Sequence, residues 1–418
     1  MPLSHPHQHQ IDNPPQQPAL NLPIDLTKDL ETAVRRSQQF LFSVQKPEGY
    51  WIGELMVDST LVSDMVAFHH WNGSVDPEWQ RKAVNKILSM QLPDGGWNIY
   101  HGGPSEVNAT IKAYLALKLA GIPVTDPRML RAREVASHMG GVPRMNTFSK
   151  LYLALIGLFP WEYLPTIPCE VILIGKWFHV NFWDMSNWSR AMLVPLSIIN
   201  HFKPTRPLKN GVNLDELYPN GKSQRELTLQ PDPDRFTWRN FFLWLDRVHK
   251  LAEWFAQNKI HPFRKSALKK SEQWMLERFE GSDGLAAIFP GILNSLIALK
   301  ALGYPDDHPE VLRAARELKK LEHETTDSVR IEPCLSPVWD TAIVTMCMRE
   351  SGVPEDHPRM KKAATWLMDK EIRFRGDWHH KNPVDVEPSG WVFEFENKWN
   401  PDVDDTAMVL LALRQIAT

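Results

Sequence analysis

Gln45-Lys46-Pro47-Glu48-Gly49-Tyr50-Trp51 and Gln91-Leu92-Pro93-Asp94-Gly95-Gly96-Trp97 are two copies of one turn, 46 residues apart at both the glutamine and the tryptophan. Each closes a stretch of helical periodicity. A second marker opens helices. Gly121-Ile-Pro123-Val-Thr-Asp-Pro127, Gly303-Tyr-Pro305-Asp-Asp-His-Pro309 and Gly352-Val-Pro354-Glu-Asp-His-Pro358 share one spacing, the last two 49 residues apart. Glycine suits the left-handed residue after a helix, and proline the first helical position. A period in the forties without alternating stretches holds two helices and two connections, so each unit is a helical hairpin. The predicted class is all-α, with no strand. Stacked hairpins form an open superhelix or a closed α/α double barrel, and only the closed form leaves a cavity at its inner end.

Weaker copies follow. Ser271 to Leu285 has Phe279 and Leu285 where Gln and Trp stand, and Ala364 to Trp378 keeps Gly376-Asp377-Trp378 with Glu371 for Gln. The turn tryptophans are expected to pack on neighbouring helix ends while the glutamines meet open backbone groups.

The 418 residues are long enough for two or three domains, and a net charge of −3 from 47 basic and 50 acidic residues argues against a nucleic-acid partner held by bulk electrostatics. The 33 prolines are expected between helices or at their first turns. Cys169, Cys334 and Cys347 form no CxxC pair, which predicts buried thiols in a reducing compartment and argues against a structural zinc. No apolar run approaches the ~18 residues of a membrane span. Residues 1–25, rich in Pro, Gln and His, are expected to form a disordered tail and not a signal peptide; His5, His7 and His9 read as solvated side chains before metal ligands.

Near the end stands Pro401-Asp402-Val403-Asp404-Asp405-Thr406-Ala407, three carboxylates in four residues before an apolar run. Two readings remain open. Asp402 is the N-cap and Asp405 its N3 partner in an acidic capping box. Alternatively, like charges crowded within one turn force one carboxyl to keep its proton, which makes a general acid. The segment Arg235 to Phe255 also has two readings. Phe241, Phe242, Trp244 and Leu245 widen its apolar face and Arg235, Arg239, Arg247 and Lys250 flank it, so it is either an interfacial membrane helix or a core helix between domains. The stretch from Lys203 to Asp234 reads as a long polar surface loop.

Taken together, the glutamine-tryptophan repeats, Ser336-Pro-Val-Trp339-Asp340-Thr341 and Asp402-Val-Asp404-Asp405-Thr406-Ala407 resemble the squalene-hopene cyclases, class II triterpene cyclases of hopanoid-making bacteria. The likeness runs from about Leu26 to the last residue. It implies two packed α-barrels, 26–322 with the membrane helix and 323–418 opening the catalytic barrel, with squalene between them. Asp404 is then the proton donor, tuned by Asp402 and Asp405. Trp188, Trp339 and Phe393 line the cavity, and Ile288 and Pro290 lie near its entrance and the terminal cation. No cofactor or metal is implied; Asp306-Asp307 belongs to a repeat loop and not to a DDxxD magnesium motif. The implied partners are squalene, the inner face of the bacterial cytoplasmic membrane and a second copy in a homodimer, with no nucleic acid. The family's chain continues past the acidic motif to complete the second barrel and supply a histidine that pairs with the acid. The resemblance thus implies a partial sequence, expected to be insoluble or inactive alone. A class II diterpene cyclase acting on a prenyl diphosphate and a catalytically silent α/α scaffold are the alternatives.

Overall fold

The computed structural model describes residues 26–179, 181–208, 211–256, 263–381 and 385–416, so the expected tail at 1–25 lies outside the described residues. The chain divides into two compact units. The first, up to Gln45, holds helix α1 (Leu26–Val44).

The second unit, from Lys46 on, carries α2 (Thr60–Asn72), α3 (Pro77–Ser89), α4 (Val107–Leu119), α5 (Pro127–His138), α6 (Thr147–Leu155), α7 (Asn187–Phe202), α8 (Gln224–Leu227), α9 (Trp238–Ala256), α10 (Arg264–Glu277), α11 (Phe289–Ala301) and α12 (Pro309–Lys320). A short hairpin follows, β1 (Glu322–Glu324) with β2 (Val329–Ile331), then α13 (Pro337–Glu350), α14 (Pro358–Asp369), α15 (Trp378–Lys381) and α16 (Val403–Leu413). The class is all-α, built of helical hairpins. Helices alternate between an inner and an outer layer, as an α/α toroid requires. Nine of the thirteen residues of α4 are buried but only three of the twelve of α5, and α11 and α12 divide in the same way. A helix that is apolar all round belongs inside, and one with a single apolar stripe outside. Accordingly α4 packs on α2 and α5, α11 on α7 and α12, and α13 on α16 and α14.

The predicted openers and stops hold. Pro127, Pro309 and Pro358 start α5, α12 and α14, and Gly121, Gly303 and Gly352 follow the helices before them with φ near +90°. Past each glycine the chain bonds back in the same way: the amides of Ile122, Tyr304 and Val353 donate to the carbonyls of Leu117, Leu299 and Met348 at 3.0, 3.1 and 3.0 Å. This 6→1 closure satisfies carbonyls that the helix end leaves open.

The glutamine-tryptophan turns have a common bonding plan. Lys46 N donates to Tyr50 O (2.9 Å) and Leu92 N to Gly96 O (2.9 Å). Trp51 N and Trp97 N donate to Thr341 Oγ1 (2.9 Å) and Thr110 Oγ1 (3.1 Å). The tryptophan takes the role expected of the glutamine at the helix end: Trp97 Nε1 donates at 2.7 Å to the Ile87 carbonyl, which also accepts from Met90 N at 3.2 Å, while Gln91 Nε2 bridges Gly95 O and Arg128 O. Gly49 and Gly95, both at positive φ, let the turns abut the outer helices. A Cβ at Gly49 would stand 2.7 Å from Lys362 O, and one at Gly95 2.4 Å from Arg131 Cβ.

The structure corrects five readings. The turn read at Ala364 to Trp378 is closed by Gly390-Trp391 and not by Gly376-Asp377-Trp378: Ile372 N donates to Gly390 O (2.8 Å), Trp391 N to Thr406 Oγ1 (3.0 Å) and Trp391 Nε1 to Leu367 O (2.7 Å). Two strands stand among the described residues, pairing Glu322 with Ile331 and Glu324 with Val329, each too short to show alternation. Pro195 lies inside α7. Of the cysteines only Cys169 is buried, Cys334 being intermediate and Cys347 exposed. The 203–234 loop is also less superficial than its polarity suggests, since Leu214, Leu217 and Tyr218 are buried and Glu216 accepts from Tyr114 Oη at 2.8 Å.

Two cores result. The larger gathers residues from Val62 to Ile331, and a smaller one joins Val338, Ala342, Leu367, Trp391, Val409 and Ala412 beneath α16. A boundary at 322/323 falls inside β1, while the smaller core begins beyond the hairpin.

Candidate active site

Both readings of the acidic stretch meet at the start of α16. Asp402, in extended backbone, is the N-cap, and its Oδ1 accepts from Asp405 N at 2.8 Å. Its own amide donates to Trp391 O at 3.2 Å. The same plan starts α4, where Glu106 N donates to Trp97 O (2.8 Å), Glu106 caps Ala109 N (2.9 Å) and Thr110 receives the tryptophan amide. Asp402 thus stands where Glu106 does, and Thr406 where Thr110 does. Asp404 and Asp405 occupy the places of Asn108 and Ala109. The acidic motif is the ordinary helix start of the repeat with two carboxyls added.

These two carboxyls differ. Asp404 is exposed, at the second helical position. Asp405 is 4% exposed, and its buried Oδ1 has no hydrogen-bond partner among the described residues. Burial, then the Asp402 carboxylate, push its pKa up to about 9, with Glu394 and Asp404 adding to the effect. At neutral pH the turn therefore holds a proton. A cavity of about 480 Å3 opens beside it, walled by Phe374, Trp378, Pro401, Asp402, Val403 and Leu410.

Of the aromatic candidates, Trp339 of α13 and Phe393 of the loop before α16 are brought together, both half-buried, with ring centroids 6.0 Å apart and planes inclined at 34°. Pro290, at the start of α11, lines a second cavity of about 240 Å3 with Phe289, Met192, Tyr152, Asp64 and Lys112. Ile288 packs half-buried on the larger core, and Trp188, opening α7, is 45% exposed; neither lines these two cavities.

Three features escaped sequence reasoning. Lys112 Nζ pairs with the buried Asp64 Oδ2 at 2.8 Å on the wall of the second cavity. Arg190, Asp377 and Arg278 form a buried ionic triad. Glu394, 2% exposed, adds a fourth carboxyl at the acid turn. A charged residue between apolar neighbours, as in Trp391-Val392-Phe393-Glu394-Phe395, was the available signal for the last.

The α9 helix is not a core helix. Its polar residues face the protein: Asp246 Oδ1 accepts from Thr166 N at 2.7 Å, and Lys250 Nζ donates to Glu162 O and Leu164 O at 3.0 and 2.7 Å. Its apolar residues face out, with Phe241, Phe242, Trp244 and Leu245 all exposed and Phe236 beside them wholly so. No helix among the described residues is long and apolar enough to cross a membrane. Among those residues no group of three or more His, Cys, Asp or Glu side chains is set to hold a metal ion.

Residues 34–327 match the family described as the squalene-hopene cyclase N-terminal domain, and residues 335–418 match the squalene-hopene cyclase C-terminal domain. Among curated proteins, the squalene-hopene cyclase of Zymomonas mobilis is 37% identical over 401 residues, 94% of this chain and 60% of that protein. The dammaradiene synthase of Dryopteris crassirhizoma is also 37% identical, over 92% of this chain and 55% of its own. The squalene-hopene cyclase of Alicyclobacillus acidocaldarius is 34% identical, over 91% and 59%. The chain therefore spans 55–60% of the length of these relatives.

Proposed function

The chain belongs to the squalene-hopene cyclase family, and we propose that its protein cyclises squalene to hopene and hopanol, with Asp404 as the acid. The observation that carries this reading is the crowding of Asp402, Asp404, Asp405 and the buried Glu394 at one helix-capping turn, with the Asp405 carboxyl pushed up to about 9. Protonating an isolated alkene requires an acid kept protonated and a conjugate base stabilised once the proton has left. Crowded carboxyls supply the first and the helix N-terminus the second.

The Asp404 O–H bond breaks as a C–H bond forms at the terminal alkene, and the resulting cation is consumed by successive alkenes. Loss of a proton from a neighbouring carbon gives the alkene product and returns the proton count to zero; capture of water, with loss of one of its protons, gives the alcohol and does the same. Asp402 and Asp405 orient and tune the donor. Trp339 and Phe393 offer ring faces that stabilise cations without attacking them, worth ~2 kcal/mol or more each when desolvated. Trp188, Ile288 and Pro290 complete the proposed substrate wall, in a protein of two α-barrels of which 323–418 opens the second.

The test supplies squalene and geranylgeranyl diphosphate separately and identifies the products. Hopene from squalene is expected. Consumption of the diphosphate alone would replace this reading with a diterpene cyclase, and dammaradiene would keep the acid but change the product.

The outward aromatic face of α9 suits a membrane interface, where such side chains sit at headgroup level. Changing Phe241, Phe242 and Trp244 together to serine is expected to lower flotation with liposomes about tenfold or more. Because these side chains are exposed, the melting temperature should hold; unchanged flotation would end the membrane assignment.

A further inference from the structure

Glu394 lies in the loop between Trp391 and Asp402, which ties the cap of α16 to the turn before α11. Asp283 N donates to Glu396 O at 2.8 Å and Asp283 Oδ2 accepts from Glu396 N at 2.9 Å. Glu394 Oε2 accepts from Asn397 Nδ2 at 3.3 Å. That amide is itself fixed: Nδ2 reaches Ala286 O at 3.4 Å, and Oδ1 accepts from Asn400 Nδ2 at 2.8 Å. Glu394 Oε1 is buried with no hydrogen-bond partner among the described residues, as is Asp405 Oδ1.

The titratable groups that face Glu394 are unfavourable to a charge. Asp283 stands in the turn before α11 and Asp402 at the cap of α16, and Glu394 in turn bears on Asp405. From the segment before α13, the Cys334 thiol faces both Glu394 and Asp405. Lys320, the cation at this edge, lies 3.7 Å from Asp283. A buried carboxyl among like charges keeps its proton. Glu394 Oε1 and Asp405 Oδ1 are two buried carboxyl oxygens of one cluster that no hydrogen-bond donor among the described residues neutralises.

Resting on the acid reading of the turn, we propose that Glu394 is a positioning residue of the acid site, acting on the Asp402–Asp405 pair through its charge. When its proton leaves, a further negative charge enters the cluster. Asp402 and Asp405 then bind their shared proton more tightly, and the donor they tune becomes a weaker acid. Burial first, against the opposing Asn397 hydrogen bond, sets the Glu394 pKa at about 8, so the loss falls just above neutrality.

Turnover of squalene and melting temperature, both measured from pH 5.5 to 9.5, test this in the wild type, Glu394→Gln and Glu394→Ala. Wild-type turnover is expected to fall about tenfold per pH unit above pH 8. Glu394→Gln keeps an acceptor for Asn397 and does not titrate, so its alkaline limb should move up by at least about one unit. Glu394→Ala should lose about tenfold or more at neutral pH, a loss the glutamine rescues. A group whose folded pKa is raised stabilises fully below its unfolded value, and that contribution disappears as pH rises through the folded value. The wild-type melting temperature should therefore drop between pH 5.5 and 8.5, and less so in Glu394→Gln. An alkaline limb and melting profile identical in the wild type and Glu394→Gln overturn the proposal. A protein inactive on squalene loses the acid reading instead, while the melting profiles still decide whether Glu394 is neutral.

Discussion

Asp404→Asn is expected to lower squalene turnover by about 10²–10⁴-fold, the usual contribution of a positioned general acid, with little change in melting temperature. Reach favours Asp404 over its neighbour. Asp405 holds the proton most firmly, but its Oδ1 is sealed, and its backbone amide is committed to Asp402. An alkene cannot approach it. Asp404 stands exposed at the next position, inside the same field of charge and at the same helix N-terminus. Asp405→Asn should therefore act indirectly: it keeps the cap, because the Asp402 bond is to backbone, and lowers turnover by a smaller factor. Its pH profile should shift, because the group raised to about 9 is the one removed. Retention of turnover in Asp404→Asn, with abolition in Asp405→Asn, would reverse the two roles.

The acid turn also explains why the sequence was readable here and opaque elsewhere. Capping chemistry, the glycine stops and the proline starts are local, so Asp402, Gly303 and Pro309 act as their neighbours in the chain predict. The hairpin period survives for the same reason. The turn read at Ala364 to Trp378 lies elsewhere because a loop separates Glu371 from Gly390-Trp391, whereas matching by spacing finds Gly376 and Trp378 first. The bonds of Ile372 to Gly390 and of Trp391 to Thr406 and Leu367, formed between residues 15 to 24 apart, identify the true copy. Glu394 and the Asp64–Lys112 pair are polar residues whose burial is set by helices distant in sequence. The apolar face of α9 does not tell a core helix from a surface one; Asp246 and Lys250 bond inward and turn that face outward, which removes the core reading.

Asp377→Ala is expected to destabilise the fold by about 3–5 kcal/mol, as for other buried ion pairs that lose one partner. Asp377 accepts from Arg278 Nε at 3.1 Å and from Arg278 Nη2, and Arg190 Nη2 lies 3.4 Å away; the three side chains are 2%, 7% and 3% exposed for Asp377, Arg278 and Arg190. Both guanidinium groups also lie against rings and backbone carbonyls. Arg278 lies 4.0 Å from the Trp274 centroid and 4.6 Å from that of Trp399, and Arg190 lies 5.3 Å from Trp183; Arg278 Nη1 donates to Trp274 O at 3.1 Å and Arg190 Nη1 to Met185 O at 2.6 Å. Alanine would leave two buried cations with only the half-exposed Glu277, 3.5 Å from Arg278, as counter-charge. Urea denaturation of Asp377→Ala, Arg278→Met and the double variant separates the pair energy from lost packing. The double variant should recover part of the loss, since it removes one of the stranded charges, and a loss below about 1 kcal/mol in Asp377→Ala would show the triad to be solvated. The consequence reaches the acid. Asp377 N donates to Trp399 O at 3.3 Å, and a Cβ on Gly376 would come within 2.6 Å of the same carbonyl, so the triad clamps both ends of the loop bearing Trp391 and Glu394. Turnover in Asp377→Ala should fall below wild type at temperatures under its melting point, because the acid turn loosens before the helices do.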